Sequence, residues 1–352
     1  MSLQAPGSNW LKWLLWPFSL IWGLAALARR FWFIRFGKRF IPPVPTIVIG
    51  NLSAGGTGKT PMIKWLLARR DQPVAVLSRG YGRKSRGFLE VLHDTPVREA
   101  GDEPLEIRHT VAGRHRVFVC ENRPEGIRRI LEVFPECTEI VLDDGYQHLP
   151  LKAHRYVLLS DMARPFYKDL CIPAGWLREF RRAARYADAL IFTKCAPGMD
   201  EIGKTAMKRA AAKYTDAPVF FTGLEYAAAV PVSGTLQPDE SHPVLLVTGI
   251  ARASYFLEHL QGRWQIAKHV AGDDHQDYTA EDIRDWKTAL QQNGCAAILT
   301  TRKDWMRIRP LCDESLPVWV VDVLPSWNPG EADSFLEKLE TRNAFNPRYL
   351  QS

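Results

Sequence analysis

Residues Gly50 to Pro61 read Gly-Asn-Leu-Ser-Ala-Gly-Gly-Thr-Gly-Lys-Thr-Pro, and their neighbours decide how they are read. Upstream, Thr46-Ile47-Val48-Ile49 is an apolar, β-branched run that suits a buried strand. Downstream, Met62 to Ala68 suits a helix, with Pro61 tolerated in its first turn. A glycine-rich turn between strand and helix points backbone N–H groups at one spot, which the positive end of the helix dipole also faces. This is a P-loop context. Lys59 then reaches the β- and γ-phosphates of a nucleotide, and the Thr60 hydroxyl is placed to ligate Mg²⁺. The expected nucleotide-binding set is Ser53, Ala54, Gly55, Gly56, Thr57, Gly58, Lys59 and Thr60. The loop departs from the strict pattern: Ser53 stands where a standard P-loop has Gly, and Ala54 where many variant loops carry Lys.

A chain of 352 residues can bury one large core or two modest ones. Its 46% hydrophobic and 24% charged content excludes global disorder. A net charge of +7 suits nucleic acid, anionic lipid or a phosphorylated substrate equally. The six cysteines include no Cys-x-x-Cys pair, so neither a zinc ribbon nor a redox motif is signalled.

From Trp10 to Ala28 the chain is almost entirely apolar, broken by Lys12, Pro17, Ser19 and Gly23. Trp10, Trp13, Trp16 and Trp22 lie in it, and Arg29-Arg30, Arg35 and Lys38-Arg39 follow among Phe31, Trp32, Phe33, Phe36 and Phe40. Tryptophans favour the headgroup level, and basic residues collect on the cytoplasmic side. The segment reads as a helix lying on a membrane or crossing it once, rather than as a cleaved signal peptide or a nucleic-acid patch. A helix capping a soluble domain is the competing reading.

The remainder alternates short apolar strands with helices, which implies an α/β fold: a P-loop NTPase-type, mostly parallel sheet with helices on both faces. Strands are expected at Val74–Leu77, Val117–Val119, Glu139–Leu142, Tyr156–Leu159 and Leu190–Phe192. Pro42-Pro43-Val44-Pro45 reads as a stiff linker. Pro231, Gly234, Pro238 and Pro243 announce a smaller α/β unit. The expected division is residues 1–41 for the membrane-associated helix, 42–230 for the P-loop domain and 231–352 for the smaller domain.

Several side chains could carry chemistry. Asp143-Asp144 closes an apolar strand, where a carboxylate can hold Mg²⁺ opposite Thr60. Asp102, in Gly101-Asp102-Glu103-Pro104, is either a helix cap or a general base for a substrate hydroxyl. His275, in Asp273-Asp274-His275-Gln276-Asp277-Tyr278, is either part of a solvated acidic loop or a helper to such a base. Arg178, Arg181, Arg182 and Arg185 would share one helix face, as a solvated surface or an anion clamp. Ser78-Arg79-Gly80-Tyr81-Gly82 is a plain turn or a phosphate-contacting loop.

Together these segments resemble the tetraacyldisaccharide 4′-kinase family, the lipid A kinases. The matching motifs are the Gly50–Pro61 loop, Ser78–Gly82, Gly101–Pro104, Leu142-Asp143-Asp144-Gly145-Tyr146-Gln147-His148, Pro173-Ala174-Gly175-Trp176-Leu177-Arg178-Glu179 and Asp274–Tyr278. The resemblance implies transfer of the γ-phosphate of ATP, with Mg²⁺, to the 4′-hydroxyl of a tetraacylated, 1-phosphorylated glucosamine disaccharide at the cytoplasmic face of the bacterial inner membrane. It implies Asp102 as catalytic base with His275 its partner, Lys59 as the catalytic lysine, and Asp143 and Asp144 at the metal. Arg79, Glu103 and Arg178 are the expected substrate contacts. Membrane lipids are expected partners, with no nucleic acid and no obligate protein partner. The rival readings are a membrane-tethered P-loop GTPase or metal-insertion ATPase, or a nucleotide-binding regulator. Thr193-Lys194 lacks the Asp two positions later that guanine recognition uses.

Overall fold

The computed structural model describes residues 9–250, 253–274, 276–313 and 315–340. Fourteen strands among them form two sheets. The strands are β1 (Thr46–Asn51), β2 (Val74–Ser78), β3 (Leu89–Val91), β4 (Arg116–Val119), β5 (Glu139–Asp143), β6 (Arg155–Asp161) and β7 (Ala189–Thr193), then β8 (Val219–Tyr226), β9 (Val230–Ser233), β10 (Pro243–Thr248), β11 (Gln265–Ala271), β12 (Ala297–Thr301), β13 (Val318–Val321) and β14 (Val323–Trp327). The helices that matter below are α1 (Asn9–Arg35), α2 (Lys59–Leu67), α3 (Val97–Ala100), α4 (Asp102–Thr110), α5 (Arg123–Val133), α6 (Glu201–Ala211), α7 (Ala253–Leu260), α8 (Ala280–Gln292), α9 (Arg302–Ile308) and α10 (Glu331–Glu340).

The larger sheet runs β14-β8-β7-β6-β1-β5-β2-β4-β3, parallel except at its two edge strands. All six residues of β1 are buried, as a parallel strand covered on both faces requires. Chain order reverses at β1, which lies between β5 and β6. The carboxyl end of such a switch strand opens a crevice for ligands, and the glycine-rich loop leaves from there.

The smaller sheet runs β11-β10-β12-β13-β9, with only β9 antiparallel. It contains the expected second unit, but the chain does not divide at a single boundary. Past Val321 it returns to the larger sheet: β14 pairs with β8, and Phe335 of α10 packs on Trp65, Phe220 and Trp327. The smaller sheet therefore lies within 230–321, and the described residues 322–340 join the larger sheet instead of the smaller unit to which the expected 231–352 division assigned them.

The two crossings between sheets run side by side, the Ala227 N–H donating to the Asp322 carbonyl at 2.9 Å, and buried charge gathers at the second. Lys64 of α2 donates to Glu106 of α4 at 3.1 Å and to Asp322, between β13 and β14, at 2.6 Å. Arg302 of α9 also donates to Asp322, at 2.7 Å. Burial opposes the Lys64 charge, but the two carboxylates outweigh it and hold its pKa above the usual lysine value.

Helix α1 does not stand apart from this body. A stripe along it is covered: the Ala174 N–H donates to Ser19 Oγ at 2.9 Å, and Trp22 Nε1 donates to the Arg178 carbonyl at 3.0 Å. At Gly23 the backbone lies so close to Phe180 that a Cβ would sit 2.3 Å from its ring. Arg30 forks onto Glu179 at 2.6 and 2.7 Å and donates to the Tyr146 carbonyl at 3.0 Å. The other faces remain exposed and apolar, among them Trp13, Phe18, Ile21 and Phe31. The segment after α1 is no free spacer either. Phe40 exchanges backbone hydrogen bonds with Pro150 and Lys152, and Pro42 is buried.

Candidate active site

The loop after β1 has the shape its sequence promised. Gly55 and Gly58 have φ of 105° and 83°, a region glycine enters without steric penalty, and Gly58 caps α2. Asn51 braces the loop from inside, donating to Thr57 Oγ1 at 2.8 Å. A Cβ at Gly56 would meet nothing within 4 Å, so the loop's rim is open to a ligand. Lys59 and Thr60 open α2 directly behind it.

Two flanking segments clamp the loop. On one side the Ala54 N–H donates to the Trp176 carbonyl at 2.7 Å, Ser53 bridges Leu177, and the Arg178 N–H donates to Leu52 at 2.7 Å. On the other, Thr193 Oγ1 donates to the Thr57 carbonyl at 2.9 Å, and Lys194 Nζ to the Gly56 carbonyl at 2.5 Å and Asp161 at 3.0 Å. Lys194 and Asp161 were missed in the sequence. Their only signal is position: each stands at or just after the carboxyl end of a strand beside the loop.

Asp143 ends β5 in register with Ile49 of β1, and Asp144 follows it, its N–H donating to the Ile49 carbonyl at 3.0 Å. Asp143 is 1% exposed; its Oδ2 accepts from Ser78 at 3.0 Å, while its buried Oδ1 accepts from nothing. Burial, then the Glu103 charge, pushes its carboxyl up to about 7. A buried acceptor oxygen with no donor fits a cation ligand. Among the described residues no cluster of three or more His, Cys, Asp or Glu could hold a metal. Asp143 and Thr60 would be its two protein ligands, the arrangement expected for Mg²⁺ that takes its other oxygens from phosphates and water. Asp144 differs. With φ 51° it turns away, meeting Lys59 Nζ at 3.8 Å and Arg178 Nη1 at 2.8 Å. Burial opposes its charge, but Lys59 and Arg178 hold its carboxyl below the usual range.

Asp102 is not a helix cap. Gly101 occupies the cap position with φ 88°, Asp102 is already helical, and its side chain forms an ion pair with Arg307 of α9. Glu103 sits beside it, partly buried, close enough to load Asp143 electrostatically. Arg79 is exposed at the mouth of the Ser78–Gly82 turn. His275 lies outside the described residues; its neighbours are anchored to α9, Asp274 by Lys303 at 3.1 Å and Tyr278 by Asp304 at 3.2 Å.

The expected arginine face is not formed. Arg178 lies in a bend held to the P-loop, and only Arg181–Tyr186 coils, as a 3₁₀ turn. Arg178 thereby leaves its three neighbours and joins Asp144. Arg123 is a further residue the sequence did not single out. It is buried and donates to the Asp143 carbonyl at 3.1 Å, supporting the strand end from behind.

The model of the tetraacyldisaccharide-1-P 4′-kinase family (LpxK) matches residues 11–342. A tetraacyldisaccharide 4′-kinase of Cytophaga hutchinsonii is 38% identical over 310 residues, covering 86% of this chain and 87% of that relative. One of Flavobacterium psychrophilum is 35% identical, covering 85% and 88%. The crystal structure of LpxK from Aquifex aeolicus in complex with ATP superposes with a TM-score of 0.74 at 28% identity, covering 94% of this chain and 98% of that one. The chain belongs to the tetraacyldisaccharide-1-P 4′-kinase family.

Proposed function

We propose that the protein transfers the γ-phosphate of ATP to the 4′-hydroxyl of a tetraacylated disaccharide 1-phosphate. The observation that carries this reading is one connected path: Lys59 to Asp144, Asp144 to Arg178, and the Arg178 carbonyl to Trp22 of α1. A phosphate-handling lysine is thus linked through two residues to an exposed apolar helix. That is the arrangement a kinase needs when its acceptor is a lipid.

Each residue has a task in this reading. The loop amides and Lys59 cradle the triphosphate and spread its charge. Asp143 and Thr60 would hold Mg²⁺, which when bound neutralises charge shared between the β- and γ-phosphates. Asp102 accepts the proton of the attacking hydroxyl, with His275 as its partner. Arg178, held by Asp144, and the exposed Arg79 face the anionic acceptor, with Glu103 near its hydroxyls.

The helix lies on the membrane rather than through it. A stripe of it at Ser19, Trp22, Gly23 and Arg30, within residues 19 to 30, packs on folded chain. The residues preceding them in α1 rise only about 15 Å, half of the ~30 Å a span requires. We place the protein at the cytoplasmic face of the inner membrane, with membrane lipids and the acceptor as its partners, and with neither nucleic acid nor an obligate protein partner.

The test is incubation of purified protein with γ-labelled ATP and the acylated disaccharide in mixed micelles. Label on the lipid, abolished by Lys59→Ala, is expected. ATP binding without lipid labelling would instead indicate a nucleotide-binding regulator.

A further inference from the structure

Helix α9 belongs to the smaller sheet unit, yet it reaches the P-loop domain at α4. Its start is fixed by Thr301, whose hydroxyl accepts from the Asp304 N–H at 3.2 Å and donates to the Asp304 carboxylate at 2.7 Å. Two turns of helix then carry Arg307 to the first residue of α4. There the guanidinium meets the Asp102 carboxylate, 205 residues away in sequence. Both side chains are almost covered, at 6% and 8% exposure. A second contact, Arg309 Nη1 to His109 at 2.7 Å, sits near the other end of α4, so α9 is aligned along that helix rather than touching it once.

We propose that Arg307 is a positioning residue for Asp102: it orients the base carboxylate and does so only while the smaller unit is seated on α4. The inference rests on the reading of Asp102 as the base.

The chemistry supports that role. A planar guanidinium against the nearly covered Asp102 carboxylate fixes its plane, leaving the other oxygen to be directed toward the acceptor. The same helix anchors the segment flanking residue 275 through Lys303 and Asp304. One element therefore holds both the base and the residues that flank its proposed partner.

The test measures kcat and the KM for ATP on the full chain with ATP and the acylated disaccharide. The variants are Arg307→Met, Arg307→Lys, Asp102→Asn and the double variant Asp102→Asn/Arg307→Met. Arg307→Met is expected to lower kcat by ~10–100-fold with the ATP KM within about threefold, since the nucleotide cradle is untouched. Arg307→Lys, which keeps the charge, is expected to recover at least about half of that loss on a logarithmic scale. On top of Asp102→Asn, Arg307→Met should cost nothing further, because the pair it breaks is already gone. If Asp102→Asn itself keeps near-wild-type kcat, the base reading fails. If Asp102→Asn is crippled but Arg307→Met is not, or if the two losses multiply, the base reading stands and the role of Arg307 is overturned. Should the methionine variant not fold, the folded lysine variant decides: a kcat as low as that of Asp102→Asn overturns the role, and one near wild type supports it.

Discussion

Asp143 illustrates how a residue can weaken a fold in order to serve it. Its carboxyl is raised to about 7 from an ordinary value of 3.8, by burial first and by Glu103 second. A carboxyl raised on folding contributes stability that is present below the unfolded value and lost as pH rises through the folded one. The nucleotide-free protein should therefore lose stability between about pH 4 and pH 7 through this group. Asp143→Asn removes the charge while keeping an oxygen for the Ser78 hydroxyl. It should raise unfolding stability at pH 8, without ATP or Mg²⁺, by roughly 1–3 kcal/mol, with the gain vanishing near pH 4. Denaturant titration at the two pH values measures it; an Asn variant less stable at pH 8 would count against the burial argument. On the proposed reading, in which Asp143 would hold the cation, the same variant should lower kcat at least ~100-fold.

At the scale of elements, α1 and its docking segment matter most. Arg30 is buried against Glu179, so Arg30→Met leaves a buried carboxylate without its cation. Breaking such a pair from one side typically costs ~3–5 kcal/mol. Here that should loosen α1 from the 174–180 segment and disturb Arg178 beside it. Faster proteolysis within residues 9–35 and a lower kcat are expected; unchanged proteolysis would show that the stripe does not hold the helix.

The sequence disclosed these elements unevenly, for physical reasons. Runs such as Val74–Leu77 and Leu190–Phe192 announced their strands because parallel strands buried on both faces are continuously apolar. β14 was silent: Val323-Leu-Pro-Ser-Trp is short, carries a proline and sits at an edge. The arginine run misled because helical spacing cannot reveal that the P-loop backbone holds residue 178 in a bend outside any helix. The P-loop and Asp143-Asp144 were legible because local context carries them. Arg307 and Lys194 were not, since each acts on residues more than a hundred positions away.

At the scale of the whole molecule, two sheets and a helix share one set of charges. Lys64 joins the P-loop helix, the Asp102 helix and the crossing at Asp322. Lys64→Met strands Glu106, while Asp322 keeps Arg302, and should lower unfolding stability by ~3–5 kcal/mol, read by denaturant unfolding in detergent; a loss under about 1 kcal/mol would mean the network is not what joins the units. The exposed face of α1 supplies the other whole-molecule property. Trp13 and Ile21 are 76% and 65% exposed and touch none of the catalytic residues. A Trp13→Glu/Ile21→Glu variant should lose most of its co-sedimentation with anionic vesicles while keeping kcat within about threefold on micellar substrate. Undiminished vesicle binding would move the membrane contact elsewhere.

Phosphoryl transfer to the acylated disaccharide is the claim on which the rest depends. Its most direct measurement is mass spectrometry with ³¹P NMR of the lipid product after incubation with ATP and Mg²⁺. A second phosphate monoester, attached at the 4′ carbon and absent with Asp102→Asn, is the expected result. An unmodified disaccharide recovered beside protein that still binds ATP, or a phosphate at any other position, would contradict it.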